Sequence, residues 1–221
     1  MMINIAIDGP SGAGKSTIAR KVAEKLGFVY VDTGAMYRAI GVHVMRNNLP
    51  TNDAQSVISV LYDARIELTY QDGEQHILLN GEDVSKAIRL PEASMAASNV
   101  SAIPEVRAYL FDLQKNIANT TNCIMDGRDI GTVVLPEAQV KIFLTATAEE
   151  RTRRRCLELE QKGTPVDYDT LLAEIIQRDY NDSHRSAAPL KKADDATEID
   201  STDLSIDEIT DMIVKMAEAV L

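Results

Sequence analysis

Residues 9–17 read GPSGAGKST, and the first eight of them, Gly9 to Ser16, match the pattern G-x-x-x-x-G-K-[ST]. Upstream, the apolar run Ile3 to Ile7 ends at Asp8. Downstream, Ile18, Val22 and Leu26 recur every four residues, and Gly27 follows as a C-cap. The order is therefore buried strand, glycine loop, helix. Gly9, Gly12 and Gly14 let backbone N–H groups crowd around phosphate oxygens without Cβ clashes. The N-terminus of the helix adds its partial positive charge. In this pattern Lys15 reaches the β- and γ-phosphates and the Ser16 hydroxyl holds a magnesium ion. The plainer reading is a Gly-rich turn that only joins strand to helix.

Working outward, Phe28 to Val31 is a second strand, stopped by Asp32-Thr33-Gly34, and Met36, Ile40 and Val44 mark the next helix. Residues 66–84 change character. Ile66, Leu68 and Tyr70 alternate with polar residues, Asp72-Gly73 and Asn80-Gly81 are turn signals, and the segment reads as a small antiparallel insert. Pro104 opens a helix carrying Val106, Leu110, Leu113 and Ile117; Cys123 to Met125 and Val140 to Leu144 are further strands. Helices are expected over 149–160 and 170–184, and Ser205 with Glu208 forms a capping box before a last amphipathic helix carrying Ile206, Ile209, Ile213, Met216 and Val220. Strands alternating with helices imply a parallel sheet covered on both faces.

At 221 residues, 45% hydrophobic and 26% charged, the chain has an ordinary globular composition. A formal net charge of -11 argues against a partner that is nucleic acid or an anionic membrane. No apolar run approaches the roughly 18 residues of a membrane span, and no signal peptide precedes the first strand, so the chain reads as cytosolic. Cys123 and Cys156 read as free thiols, and His43, His76 and His184 lack metal-ligand spacing. An acidic protein that handles phosphates must concentrate its cations locally.

It does so in several places. Arg151, Arg153, Arg154 and Arg155 form the densest cluster, read either as a lid over ATP or as a solvated face paired with Glu149, Glu150 and Glu158. On helix 170–184, Leu171 and Ile175 share a stripe that continues into Arg178 and Asp182, with Arg185 just beyond. An apolar stripe that turns charged suggests a helix running from the core to the wall of a polar cleft; the alternative is an exposed salt bridge. Asp126 ends the run Cys123-Ile-Met as an acid near magnesium or as a turn residue. Thr33, Tyr37 and Arg38, at a strand's C-terminal end, suit an acceptor phosphate and its sugar, or simply open a helix.

At these residues the sequence resembles the bacterial cytidylate kinases. The matching stretches are GPSGAGKST (9–17), DTGAMYR (32–38), NGEDVSKAIR (80–89), ASNVSAIPEVR (97–107), DGRDIGTVVLPEAQVKIFLTA (126–146) and RDYNDSHRSAAPL (178–190). The resemblance implies a P-loop NTPase fold, a three-layer α/β/α body with a parallel sheet, plus the antiparallel insert and a lid. It implies a single domain over 1–221, with a monophosphate-binding excursion at about 35–90 and a lid at about 151–169. ATP would be held by Gly9, Pro10, Ser11, Gly12, Ala13, Gly14, Lys15, Ser16 and Thr17, with Arg154 and Arg155 from the lid. CMP would be held by Thr33, Tyr37, Arg38, Ser98, Arg107, Arg128, Asp129, Arg178, Asp182 and Arg185, of which Ser98, Arg107 and Asp129 surround the cytosine. Relatives also show Ser at the position of Thr33 and Gly at that of Ser16.

The implied reaction passes the γ-phosphate of ATP to CMP or dCMP in pyrimidine nucleotide metabolism, with Lys15, Arg128 and Asp126 as the catalytic set. Mg2+ accompanies ATP, held by Ser16, and the protein acts as a monomer. The alternatives are another P-loop small-molecule kinase for UMP or AMP, or a nucleotide-dependent switch without catalysis. An N-K-x-D base-reading motif, usual in GTP switches, does not occur in the sequence.

Overall fold

A computed structural model describes residues 2–71, 74–161 and 163–221. The chain divides into two compact units, Met1–Tyr30 with Ala118–Leu221, and Val31–Ile117. The first contains β1 (Asn4–Asp8), α1 (Lys15–Leu26), β6 (Cys123–Gly127), β7 (Val140–Thr145), α6 (Ala148–Gln161), α7 (Tyr168–His184), β8 (Thr197–Asp200) and α8 (Ile206–Glu218). With β2 (Val29–Asp32), which crosses the boundary, these strands make one five-stranded sheet in the order β2-β6-β1-β7-β8. β1 pairs in parallel with β6 and β7, and β7 with β8. This is the parallel α/β sheet that the alternation of strands and helices implies.

Ile5 and Ile7 of β1, Ile142 and Leu144 of β7 and Ile199 of β8 pack with Ile18 and Val22 of α1 and Ile209 and Ile213 of α8. Ala6, Cys123 and Met125, which alternate with that set, are equally buried, so both faces of the sheet are covered. α1 ends where expected, its C-cap Gly27 at φ 66 with its N–H directed to the Ala23 and Glu24 carbonyls. The Ser205–Glu208 capping box forms at α8. Ile206 at its start and Val220, beyond its end at Glu218, remain exposed, while Thr210 and Ala217 join Ile209 and Ile213 inside. β8 escaped the sequence reading because Thr197-Glu-Ile-Asp200 buries a single residue, Ile199.

The second unit contains α2 (Thr33–Arg46), α3 (Ala54–Leu61), β3 (Ile66–Gln71), β4 (Glu74–Leu79), β5 (Glu82–Asp83), α4 (Pro91–Ser101) and most of α5 (Pro104–Thr120). β3, β4 and β5 form the expected antiparallel insert. Its Asn80-Gly81 turn has both residues at positive φ, 52 and 84, as a tight hairpin requires; the turn expected at Asp72-Gly73 lies outside the described residues. The stripe on α5 buries Val106, Leu110, Gln114 and Ala118, four residues apart throughout, in place of the expected Leu113 and Ile117. α3 and α4 carried no clear apolar period. α4 relies on small side chains, with Ala93, Ala96 and Ala97 buried.

α2 and α4 approach closely at Gly41, where an added Cβ would stand 2.7 Å from the Ala96 Cβ and 3.2 Å from the Ala96 backbone carbonyl carbon. Gly41→Ala gains about 1 kcal/mol of helix propensity but overpacks this contact, which typically costs about 1–3 kcal/mol. Urea denaturation should show Gly41→Ala net destabilised. A variant as stable as the wild type would mean that α4 yields freely.

Candidate active site

In the first unit, the loop between β1 and α1 has the shape that its glycines permit. Gly9 sits at φ 148, and a Cβ there would fall 1.9 Å from the Leu144 carbonyl oxygen, so no other residue fits. Gly12, at φ 80, leaves room for the Arg151 side chain, whose Cβ would stand 3.2 Å from an added methyl. Lys15 is buried and donates from Nζ to the Pro10 carbonyl at 2.7 Å, folding back over the loop. Burial and the neighbouring Arg128 push its ammonium well below the ordinary value; Asp126 pulls it back up, and Arg178 presses it down further.

Asp126 lies within β6, not in a turn after it. One carboxylate oxygen accepts from the Ser16 hydroxyl at 2.7 Å and the other from the Tyr30 hydroxyl at 3.0 Å. Parallel pairing of β1 with β6 explains the meeting: Ile7 lies opposite Asp126, so the acid comes level with the start of the loop.

Beyond β6, Arg128 donates from Nε to Asp182 of α7 at 2.7 Å, and Arg185 donates to Asp129 at 3.3 Å. Arg178 donates to the Ser11 hydroxyl of the glycine loop at 3.0 Å. The charged half of the α7 stripe thus faces inward. Leu171, Ile175 and Asp182 are all buried, and Asp182 accepts from Arg128, 54 residues distant. Burial pushes the Asp182 carboxyl up, yet Arg128, Arg178 and Arg185 outweigh it and hold the group below its ordinary value.

The arginine cluster of α6 divides. Arg151 is 4% exposed and donates to the Ala146 carbonyl at 2.9 Å and to the Ser11 carbonyl at 3.0 Å. It also makes a two-pronged pair with Asp179 at 3.1 and 2.6 Å. Arg154 donates to Glu150 at 2.8 Å and to the Ser201 carbonyl at 2.6 Å; the Ser201 hydroxyl in turn donates to the Ala13 carbonyl at 3.1 Å. Arg153 and Arg155 pair with Glu150 and Glu158 on the surface.

In the second unit, Asp32 caps α2 by accepting from the Ala35 amide at 2.8 Å, and its other oxygen accepts from Arg38 at 2.8 Å. Thr33 is buried beside it in sequence. Arg107 of α5 lies over the Tyr37 ring, 5.6 Å from its centroid, and donates to the Ser101 carbonyl at 3.2 Å. Ser98 stands one turn earlier on α4, where its carbonyl accepts from the Ser101 hydroxyl at 3.0 Å.

Asp8, Tyr30, Asp179 and Ser201 were not singled out from the sequence. Each acts across a long sequence separation through an unremarkable residue type. Only Asp8 carried a local signal, as an acid directly before the first loop glycine.

The contrast between Arg151 and its helix neighbours is testable. Asp179→Asn strips the buried Arg151 of its counter-charge, and unfolding by urea should show a loss of about 3 kcal/mol. Arg155→Ala, at an exposed pair, should stay within about 0.5 kcal/mol of wild type. Similar small losses in both would mean that Arg151 does not brace the loop.

Comparison with known proteins agrees with this geometry. A family model described as cytidylate kinase matches residues 5–219. The chain is 54% identical to a cytidylate kinase of Caldicellulosiruptor saccharolyticus, across 97% of this chain and 95% of that one. It is 50% identical to one from Carboxydothermus hydrogenoformans, across 97% and 96%. An uncharacterized protein of Eubacterium ventriosum has a similar fold, with TM-score 0.53, 17% identity and 99% of both chains covered. By the family model and by these identities along nearly its whole length, the chain belongs to the cytidylate kinase family.

Proposed function

We propose that this protein transfers the γ-phosphate of ATP to CMP or dCMP, giving ADP and CDP or dCDP, a step of pyrimidine nucleotide metabolism. The observation that carries the proposal is the joining of two features in one family member. A glycine loop with its Lys15 lies beside Arg128 and Arg178, whose charges act on that lysine. The attacking oxygen of CMP is already anionic at neutral pH, so the reaction needs orientation and charge neutralisation more than a general base.

In this reading residues 9–17 hold the ATP phosphates, with Arg154 and Arg155 on the ATP side. Lys15 and Arg128 neutralise charge on the transferring group. Tyr37, Arg38 and Arg128 hold the CMP phosphate, with Thr33 beside them, and Arg178, Asp182 and Arg185 serve the sugar and the phosphate-side charge. Ser98, Arg107 and Asp129 surround the cytosine. A carboxylate at Asp129 accepts from the cytosine amino group, which uracil lacks, so UMP would leave it unpaired. The excursion at about 35–90 would bind the monophosphate, and closure of the lid at about 151–169 would exclude water.

The family implies magnesium with ATP. Ser16 and Asp126 suit it: a hydroxyl and a carboxylate, both hard oxygen donors, meet at 2.7 Å where α1 begins. When bound, the ion neutralises charge on the β- and γ-phosphate oxygens. Ser16 would hold it, with Asp126 next to it, and Tyr30 fixes the orientation of the acid through its second oxygen. The same reading makes the protein a cytoplasmic monomer without nucleic-acid or membrane partners. The net charge of -11 argues against a nucleic-acid or anionic-membrane partner; no helix among the described residues is long and apolar enough to cross a membrane.

ADP release measured across a panel of nucleoside monophosphates should favour CMP and dCMP over UMP and AMP. A clear preference for UMP or AMP would overturn the assignment, and ATP binding without turnover on any of them would favour the switch. Arg128→Lys keeps the charge but loses the planar fork. It should lower kcat/KM for CMP about a hundredfold with KM for ATP nearly unchanged; equal loss on both substrates would remove Arg128 from the acceptor side.

A further inference from the structure

Asp8 ends β1 directly before Gly9 and is 5% exposed. Among the described residues it forms no ion pair, although an ionised carboxylate so deeply buried is costly without compensation. Instead, each of its oxygens accepts one backbone N–H, from Ile130 at 2.8 Å and from Gly131 at 2.7 Å. Burial pushes its carboxyl up to about 6 in spite of those two donors; the charge of Asp129 adds to the rise and that of Lys15 opposes it. From β7, Lys141 lays its stem beside Gly131 and turns its ammonium to Asp195 at 2.6 Å. Across the sheet, Asp8 faces Gly127 of β6, which brings no charge.

The two amides held by Asp8 directly follow Arg128-Asp129. They open a single π-helical turn, Ile130–Val134, whose backbone closes on itself through Val133 and Val134 N–H donation to the Asp129 carbonyl. Such turns are uncommon and often sit at functional sites. Asp129 has φ -147 and ψ 26, and its side chain makes no cap bond to the turn. The turn's first two amides are held instead by Asp8, 122 residues before Ile130 in the chain. An acid beside a phosphate site opposes anion binding, and a role in shaping the turn explains its presence there.

We propose that Asp8 is a positioning residue for the acceptor nucleotide: by clamping the Ile130 and Gly131 amides it aims Arg128 towards Asp182 and Asp129 towards Arg185, and so sets affinity for CMP and its preference over UMP. This rests on the reading of Arg128 and Asp129 as acceptor-side residues. Asp8 itself touches no reacting atom. It ties the strand that leads into the ATP loop to the turn that bears the acceptor groups, both within the first unit.

The test uses Asp8→Asn in the full chain, which keeps one acceptor oxygen and loses the other. In the nucleotide-free protein, amide exchange at Ile130 and Gly131 should quicken at least tenfold while Ile5 and Ile7 of β1 hold their protection. In steady-state assays KM for CMP should rise about tenfold or more and the CMP-to-UMP preference should shrink, with KM for ATP within twofold. Unchanged exchange at both amides overturns the proposal, as does a rise of both KM values together, which would indicate damage to the ATP loop. If Arg128→Lys impairs CMP use but Asp8→Asn does not, the proposal fails and the acceptor reading stands; if neither variant affects CMP, both fail. Should Asp8→Asn fold poorly, the wild-type protein gives the same decision. As pH is lowered until the Asp8 carboxyl 13C shift reports protonation, both amides should lose protection, and full protection beside a protonated Asp8 overturns the clamp.

Discussion

The first unit is organised around the buried ammonium of Lys15. Burial first, and then the charges of Arg128 and Arg178, hold that ammonium well below its ordinary value. The fold tolerates this because carboxylates are threaded between the cations. Asp182 accepts from Arg128, Asp129 from Arg185 and Asp179 from Arg151. Asp126 raises the lysine again while holding the Ser16 hydroxyl. Sheet order makes the arrangement possible: β6 and β7 flank β1 in parallel, so their C-terminal ends present Asp126 and Ala146 beside the same loop. An incoming polyphosphate would replace repulsion with attraction without rebuilding the scaffold, which is the economy of a preorganised site.

Burying Lys15 and Asp8 costs stability near neutrality. Lys15 has a folded value below its unfolded value of 10.5. The unfolded chain therefore holds more protons between the two, and stability from this group rises with pH across that window. Asp8 is the opposite case. Its folded value, about 6, lies above the unfolded 3.8, so its contribution is fully present below 3.8 and is lost as pH rises through about 6. Near neutrality both groups are held in unfavourable ionisation environments.

The sequence made the frame legible because local patterns carry it. The glycine loop, its flanking strand and helix, the Gly27 cap, the Ser205–Glu208 box and the alternating insert at 66–84 each depend on residues a few positions apart. The charged continuation of the Leu171–Ile175 stripe also revealed that α7 faces a polar interior. What stayed hidden depends on distance. Arg151 was indistinguishable from Arg155 in a run of arginines, yet one is sealed against Ser11 and Asp179 while the other is paired at the surface. Asp182 shares its helix stripe with Arg178, yet it also accepts from Arg128, 54 residues distant and directly after β6. β8 and α4 were missed because edge strands and small-residue helices bury too little apolar surface to leave a period.

Burial and the charges of Arg128 and Arg178 hold the Lys15 ammonium low, and a bound triphosphate should raise it. Calorimetry of MgATP binding at pH 7.5, repeated in buffers of different ionisation enthalpy, tests it most directly. Binding should restore the Lys15 proton, so the observed enthalpy should depend on the buffer with the sign of net proton uptake, and the dependence should vanish in Lys15→Gln. An enthalpy independent of buffer, or one that signals proton release, would contradict the account.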